Sequence, residues 1–169
     1  DLGRPVEELY KTFDPIPLAA ASLGQVHRAQ LHTGEEVVVK IQRPRLQQLF
    51  QIDLSILKGI AHYFQSHPEW GRGRDWIGIY EECCRILWLE IDFLHEGRNA
   101  DTFRRNFRQI DWVKAPRIYW RYASKRVLTL EYLPGIKISH YESLEAAGLD
   151  RQRLAQLGAQ AYLHQLLND

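Results

Sequence analysis

The fold is decided by a run of very small residues, Ala19-Ala20-Ala21-Ser22-Leu23-Gly24-Gln25-Val26, and by the segment that follows it after a turn, Val37-Val38-Val39-Lys40. Small side chains let backbone amides approach a ligand closely, and successive N–H groups of such a loop can hold phosphates. A lysine on the neighbouring strand adds a point charge for the same phosphates. The two segments therefore predict a phosphate-binding hairpin, with Gly34 in its turn.

The lysine segment has the alternation of a β-strand. From Glu36 to Gln42, Val38 and Lys40 fall on one face, and the intervening valines fall on the other. A strand lysine taken alone is most often solvated. The loop of small residues one hairpin earlier favours a functional lysine, and Val38 would then lie beside it on the same face of the strand.

Helical periodicity accounts for most of the remaining chain. Apolar residues recur at helical spacing over 46–65 and again from Asp75 to Leu94, which predicts two long helices. Pro134-Gly135 predicts a break in the chain. Apolar spacing and caps predict further helices at 4–13, at 139–147 and at 150–167, the last with a buried stripe ending at Leu167, and further strands at 116–119 and 127–132.

Bulk composition excludes several classes of protein. The chain has 169 residues, enough for one ordinary core, and a net charge of +1, which favours neither nucleic acid nor an anionic membrane. No apolar run has the length of a membrane span, and no signal peptide opens the chain. The adjacent Cys83 and Cys84 fit neither a disulfide framework nor a zinc site, so we predict no metal and a reducing compartment. The absence of methionine predicts a part of a longer chain.

Several ordered motifs resemble those of the UbiB family of atypical kinase-like proteins. Of the usual kinase loop Gly-x-Gly-x-x-Gly-x-Val, only Gly24 and Val26 are kept, and alanines replace the first two glycines. The resemblance runs from about Phe13 to the end of the chain. It is carried by the alanine-rich loop, by 24–29 and 39–44, by Glu90-Ile91-Asp92, by 96–99, and by 126–131 before Pro134-Gly135.

The resemblance implies an α+β fold, namely a protein-kinase-like N-lobe with an antiparallel sheet and a regulatory helix. The N-lobe would span 1–133, with a family-type helical insertion at about 45–95 that ordinary kinases lack. The hinge and the first helices of the C-lobe would occupy 134–169. The chain would then end just before the catalytic loop, because Asn168-Asp169 closes the helix that precedes that loop in such proteins.

The resemblance also implies a set of site residues. Lys40 would hold the α- and β-phosphates of ATP and pair with Glu96, and both would belong to the catalytic machinery. Glu90 and Asp92 would form a regulatory contact with a Lys-x-Gly-Gln segment that this sequence does not contain. Leu130 would be the gatekeeper. The nucleotide-contacting positions would be Ala19, Ala20, Ala21, Ser22, Gly24, Val26, Val38, Lys40, Leu130, Glu131 and Leu133.

Two interpretations stay open at this point. Asp92 can equally be a solvated helix charge, and the strand around Leu130 has the apolar pattern of any buried strand. Glu90 and Glu96 lie about 240° apart around a regular helix, so both can serve one site only if the helix breaks, which we expect near Gly97.

By resemblance, the intact protein would bind ATP with Mg²⁺, and the ligands of the metal would lie outside this chain. It would act as a kinase-like phosphotransferase or ATPase that supports prenyl-quinone or related lipid biosynthesis. The resemblance also implies nucleotide as the ligand, and lipids, enzymes of quinone biosynthesis or a membrane surface as partners. The protein would lie inside the cell, in the cytoplasm or at the periphery of a membrane. The alternatives are an ordinary protein kinase or small-molecule phosphotransferase, and a pseudokinase scaffold that senses nucleotide without turnover.

Overall fold

The computed structural model describes residues 1–20, 22–67 and 69–168. Its centre is one antiparallel sheet of five strands: β1 at Thr12–Phe13, β2 at Ala19–Ala20, β3 at Gly24–Gln30, β4 at Glu36–Gln42 and β5 at Val127–Glu131. The strand order is β1, β3, β4, β5, and β2 pairs with β3 beside β1. The predicted hairpin is present as β3 and β4, joined by a turn in which Gly34 has a φ of 102°. That positive φ explains the glycine.

Six α-helices accompany the sheet in the described part of the chain. They are α1 at Val6–Leu9, α2 at Leu46–Ser66, α3 at Trp76–Glu90, α4 at Phe93–Asn106, α5 at Tyr141–Ala146 and α6 at Arg151–Asn168. The α2 and α3 helices pack against each other as a hairpin, and α4 packs on β5. No helix in the described ranges is both long enough and apolar enough to cross a membrane. The α+β class that the sequence predicts is confirmed.

The two faces of the sheet carry different cores. Residues such as Val37 and Val39 of β4 pack with Leu9 and Tyr10 of the N-terminal segment. The opposite face holds Lys40 of β4, and beneath it a second cluster made of Phe93, Ile118 and Leu128. This division follows from strand alternation, because successive side chains leave a strand on opposite sides. The second face is the one that α4 covers.

A buried hydrogen bond ties the N-terminal segment to the far end of the fold. The hydroxyl groups of Tyr10 and Thr129 lie 2.8 Å apart, across 119 residues of sequence. Tyr10 is 4% exposed and Thr129 is fully buried. A buried hydroxyl needs such a partner, since an unpaired one costs about 1–3 kcal/mol. The first strands are thereby fixed against β5.

Three predicted elements differ from the structure. The helix predicted at 4–13 is only α1, because the following residues pair with β3 as β1. The strand predicted at 116–119 is reduced to an isolated bridge between Ile118 and Leu130, since the chain turns into a short 3-10 helix at Trp120–Tyr122. The apolar stripe predicted to be buried on α6 is half-buried at best, and Leu167 at its end is 76% exposed. The reason is that the other described residues pack against only part of that helix.

The apolar stripe of α2 also differs from the usual pattern. The helix is present as predicted, but its buried residues are Leu46, Leu54 and Ala61. The more apolar stripe faces outward, and each of its members is 45–60% exposed: Leu49, Ile52, Ile56, Ile60 and Tyr63. The three buried residues of α2 are thus the ones that meet the rest of the described chain.

Candidate functional site

The candidate site is centred on an ion pair between a strand and a helix. Lys40 Nζ donates to both carboxylate oxygens of Glu96, at 2.8 Å to Oε1 and 2.6 Å to Oε2. The lysine side chain is 21% exposed and the glutamate side chain 42%. The contact predicted between these two residues is therefore present. It brings together groups that are 56 residues apart in the sequence.

Apolar residues surround the side chain of Lys40 on this face of the sheet. Its cross-strand neighbours are Val26 on β3 and Leu128 on β5. Its Nζ also lies 4.6 Å from the ring centroid of Phe93, which is fully buried at the start of α4. A cation over an aromatic face is attracted by the ring quadrupole. Phe93 therefore helps to hold the ammonium group above the sheet, close to Glu96.

Contacts at the start of α4 and near its middle fix the position of the helix. Asp92 caps it by accepting a hydrogen bond from the N–H of Leu94 at 2.9 Å. Gly97 lies against the sheet side, where a Cβ would stand 2.8 Å from the ring of Trp120 and 3.2 Å from Leu128. Trp120 in turn donates from Nε1 to Asp101 Oδ2 at 2.7 Å. These contacts place Glu96 over β4.

The helix break predicted near Gly97 is wrong. The chain leaves α3 after Glu90 and re-enters a helix at Phe93, so the break falls at 91–92, and Gly97 is an interior residue of α4. The reason is tertiary packing: Gly97 permits close contact with Trp120, whereas Asp92 supplies the cap that starts the new helix. Glu90 and Glu96 thus belong to different helices.

The proposed regulatory pair has two different environments. Glu90 is exposed at the last residue of α3. Asp92 is half-buried and uses its carboxylate for the cap of α4. The assignment of both residues to a regulatory contact stays a prediction, and Asp92 has a structural role in addition to it.

An apolar surface extends from the ion pair along the same face. Val38 is the cross-strand partner of Leu130, one row of the sheet away from Lys40, and Val26 faces Lys40 directly. All three apolar side chains are half-buried. A base lying on this surface would contact Val26, Val38 and Leu130 and would leave its phosphates near Lys40. The roles predicted for these residues stay predictions.

The described small residues lie at the Lys40 end of that surface, because Ala19 pairs with Val26, which is the cross-strand partner of Lys40. Ala19 and Ala20 form β2 and pair with Val26 and Gln25, and both are exposed, as is Ser22. Ala21 lies outside the described residues. Gly24 is buried for a reason of its own, since a Cβ there would stand 2.3 Å from the carbonyl oxygen of Ile41. This glycine is thus required by the close approach of β3 and β4, whether or not it meets a phosphate.

The hinge positions differ in what their backbone can offer. The N–H of Glu131 already donates to the carbonyl of Arg117 at 2.8 Å. The next N–H, that of Tyr132, donates to the main-chain carbonyl of Glu36 at 3.1 Å. Glu131 can therefore present only its carbonyl to a base. Its carboxylate accepts from the N–H of Arg117 at 3.1 Å and holds the preceding segment. Leu133 is half-buried just beyond β5.

Two residues of the site escaped the sequence analysis. Phe93, three residues before Glu96, shares a helical face with it, and that spacing was the available signal. Gln42 is on the lysine face of β4 by simple alternation, and its side-chain amide donates to the carbonyl of Ile91 at 2.7 Å. Neither residue belongs to a motif that by itself suggests chemistry, so only the fold reveals them.

Comparison with known proteins places these features in a family. The family model of the ABC1 atypical kinase-like domain matches residues 1–169. The chain is 75% identical over 168 residues to the sll1770 protein of Synechocystis, covering 99% of this chain and 29% of that protein. It is 56% identical over 167 residues to the chloroplastic protein Activity of bc1 complex kinase 7 of Arabidopsis thaliana, with 99% and 24% covered.

More distant matches also cover most of this chain. A probable protein kinase UbiB of Xylella fastidiosa is 37% identical over 169 residues, covering 99% of this chain and 30% of that protein. The solved structure of Rv3197 in complex with erythromycin, from Mycobacterium tuberculosis, aligns with a TM-score of 0.71 at 27% identity, covering 82% of this chain and 34% of the other. The chain thus spans less than a third of the length of the Synechocystis, Arabidopsis and Xylella relatives. Its whole length matches one model, and it belongs to the family of ABC1 atypical kinase-like domains.

Proposed function

We propose that the chain is the nucleotide-binding lobe of a UbiB-like atypical kinase or ATPase, and that its ligand is ATP. The observation that carries the proposal is the pair of Lys40 and Glu96 on the sheet face that also bears Val26, Val38 and Leu130. An ammonium group held by a carboxylate beside an apolar surface suits a ligand with a flat base at one end and phosphates at the other.

The lysine has the capacity that this role needs. A lysine ammonium group has three N–H donors and no acceptor. Glu96 takes two of them in a bidentate contact, which leaves the third for a phosphate oxygen. The pair also orients the side chain, so that less conformational entropy is lost when a phosphate binds.

The described residues account for binding and orientation only. They contain no group of three or more His, Cys, Asp or Glu side chains that could hold a metal ion. When bound with the nucleotide, Mg²⁺ would neutralise charge on the phosphates. We assign its ligands, and the group that positions the attacking nucleophile, to other parts of the intact protein.

Kinship with UbiB supports a proposal for the biological role. We infer that the intact protein uses ATP to support prenyl-quinone or related lipid biosynthesis. Deleting the gene should lower the prenyl-quinone content of the cells, and a plasmid with the wild-type gene should restore it, whereas the Lys40→Met gene should not. Restoration by Lys40→Met would contradict a role that depends on nucleotide.

The nucleotide proposal is tested by titrating ATP into the full-length protein. Lys40→Met keeps the length of the side chain and removes its charge. Charge-assisted hydrogen bonds are worth about 1.5–3 kcal/mol, so the Kd for ATP should rise roughly ten- to a hundredfold. The matched control is Lys58→Met, a charge removal on the exposed surface of α2, which should leave the Kd unchanged. Equal affinities for wild type and Lys40→Met would refute the proposal.

A further inference from the structure

Gln42 is one of only three polar or charged residues among the buried side chains of the described chain, with 7% of its surface exposed. It is the last residue of β4 and follows Lys40 by two positions, so both side chains leave the strand on the same face. Its amide Nε2 donates to the carbonyl oxygen of Ile91 at 2.7 Å. A buried amide committed to one main-chain carbonyl, next to the central lysine, calls for an explanation.

The carbonyl that Gln42 holds lies at a junction. Ile91 is 3% exposed and follows the last residue of α3, and α4 begins two residues later. The last carbonyl groups of a helix have no partner within that helix. The same junction is fixed from a second side, because the N–H of Phe93 donates to the carbonyl of Lys125 at 3.1 Å. Strand β4 and the start of α4 are thus joined through Gln42.

The Gln42 contact and the ion pair connect the same two elements. Lys40 and Gln42 stand on β4, and their partners Glu96 and Ile91 stand five residues apart on the opposite segment. If the junction at Ile91 moves away from β4, α4 moves with it, and Glu96 is carried off Lys40. Because Ile91 also ends α3, the same hydrogen bond couples the hairpin of α2 and α3 to the ion pair.

We propose that Gln42 is a positioning residue of the nucleotide site, which acts by holding the α3–α4 junction so that Glu96 stays on Lys40. The proposal rests on the nucleotide function proposed above, since ATP affinity is its main readout. It also predicts that displacement of the α2–α3 hairpin weakens nucleotide binding, because the hydrogen bond from Gln42 ties the end of that hairpin to β4.

The test compares variants of the full-length protein. Gln42→Met keeps the length of the side chain and removes the donor, and the Kd for ATP should rise several-fold, at most as much as in Glu96→Gln, because Gln42 acts through Glu96. Tyr10→Phe is the matched control, because it removes a buried hydrogen bond on the opposite face of the sheet. It should leave the Kd within about twofold of wild type. An unchanged Kd in Gln42→Met would overturn the proposal.

A double-mutant cycle separates positioning from a general loss of stability. If Gln42 acts through Glu96, then adding Gln42→Met to Glu96→Gln should raise the Kd by less than about twofold beyond Glu96→Gln alone. Losses that multiply in full would show that Gln42 acts independently of the ion pair. Should Gln42→Met fail to fold, Gln42→Asn decides, because it keeps the polar amide but is one methylene too short to hold Ile91.

Hydrogen exchange distinguishes failure of this proposal from failure of the nucleotide function. If wild-type protein binds no ATP, the proposed function is wrong, and the positioning role is then judged on the protein alone. The amides of 91–97 should exchange faster in Gln42→Met than in wild type or Tyr10→Phe. Equal exchange in this segment for all three proteins would overturn the positioning role.

Discussion

The Lys40 ammonium group gives two of its hydrogen bonds to one carboxylate, in a pair that is 21% and 42% exposed. An ion pair so open to solvent contributes only about 0–1 kcal/mol to folding, because water and salt screen it. Stability alone is therefore a weak reason for the pair, and ligand orientation is a stronger one. The sequence could predict the pairing because both residues fell in motifs with a kinase-like order.

The first residue-scale prediction separates these two effects. Glu96→Gln removes the charge of the partner and keeps its shape. We expect the free energy of unfolding to change by less than about 1 kcal/mol, while the Kd for ATP rises several-fold because Lys40 loses its orientation. Chemical denaturation and ATP titration of the same samples measure both. A large loss of stability with unchanged affinity would mean that the pair is structural.

The second residue-scale prediction concerns the alanine turn. Ala19 is exposed in β2, where it pairs with Val26 of β3. Replacing it with glycine removes a Cβ that restricts the backbone and widens the conformations open to the turn. We expect Ala19→Gly to change the relative affinities for ATP and ADP, which differ only in phosphate contacts. Unchanged affinities for both nucleotides would count against a phosphate-binding role for the turn.

At the scale of elements, the sequence predicted what local periodicity controls. The bounds of β4 agree with the alternation of Glu36 to Gln42, and α2 agrees with its apolar spacing. The break between α3 and α4 was placed wrongly, because Gly97 suggested a break by its residue type. Its actual role depends on Trp120, which lies 23 residues away and packs where a Cβ would stand. No local signal reports such a contact.

That contact leads to a prediction about α4. In Gly97→Ala, the new Cβ would stand 2.8 Å from the Trp120 ring, which Asp101 holds by a hydrogen bond. We expect α4 to shift, with a loss of about 1–3 kcal/mol in stability and a higher Kd for ATP. Gly59→Ala is the control: it lies inside α2 with nothing within 4 Å of the new Cβ. It should be neutral or slightly stabilising. Identical behaviour of the two variants would show that the Trp120 contact is unimportant.

At the scale of the whole molecule, a large apolar surface is exposed on the α2–α3 hairpin, including Ile52 at 60% and Ile79 at 56%. Sequence periodicity predicted that α2 is amphipathic but not which face is turned inward, because that depends on what packs against it. Contacts between residues far apart in the sequence connect the other elements. The bond between Tyr10 and Thr129 joins the N-terminal segment to β5.

That tie has a pH dependence. Burial raises the pKa of Tyr10 above its ordinary value, although the hydrogen bond with Thr129 opposes the shift. The folded state therefore disfavours the ionised phenol, so this contribution to stability is intact below about pH 10 and is lost as pH rises through the folded pKa. We expect wild type to lose more unfolding free energy than Tyr10→Phe between about pH 9 and pH 11. Equal losses in denaturation experiments would contradict the assignment.

The proposed function requires the amine of Lys40 to lie next to the phosphates of bound ATP. An acyl-phosphate derivative of ATP transfers its acyl group to a lysine amine beside the phosphates, and mass spectrometry then identifies the labelled residue. With the full-length protein, we predict labelling of Lys40 that excess ATP suppresses, while exposed lysines such as Lys58 are labelled weakly and without protection by ATP. Labelling that omits Lys40, or that ATP does not reduce there, would contradict the account.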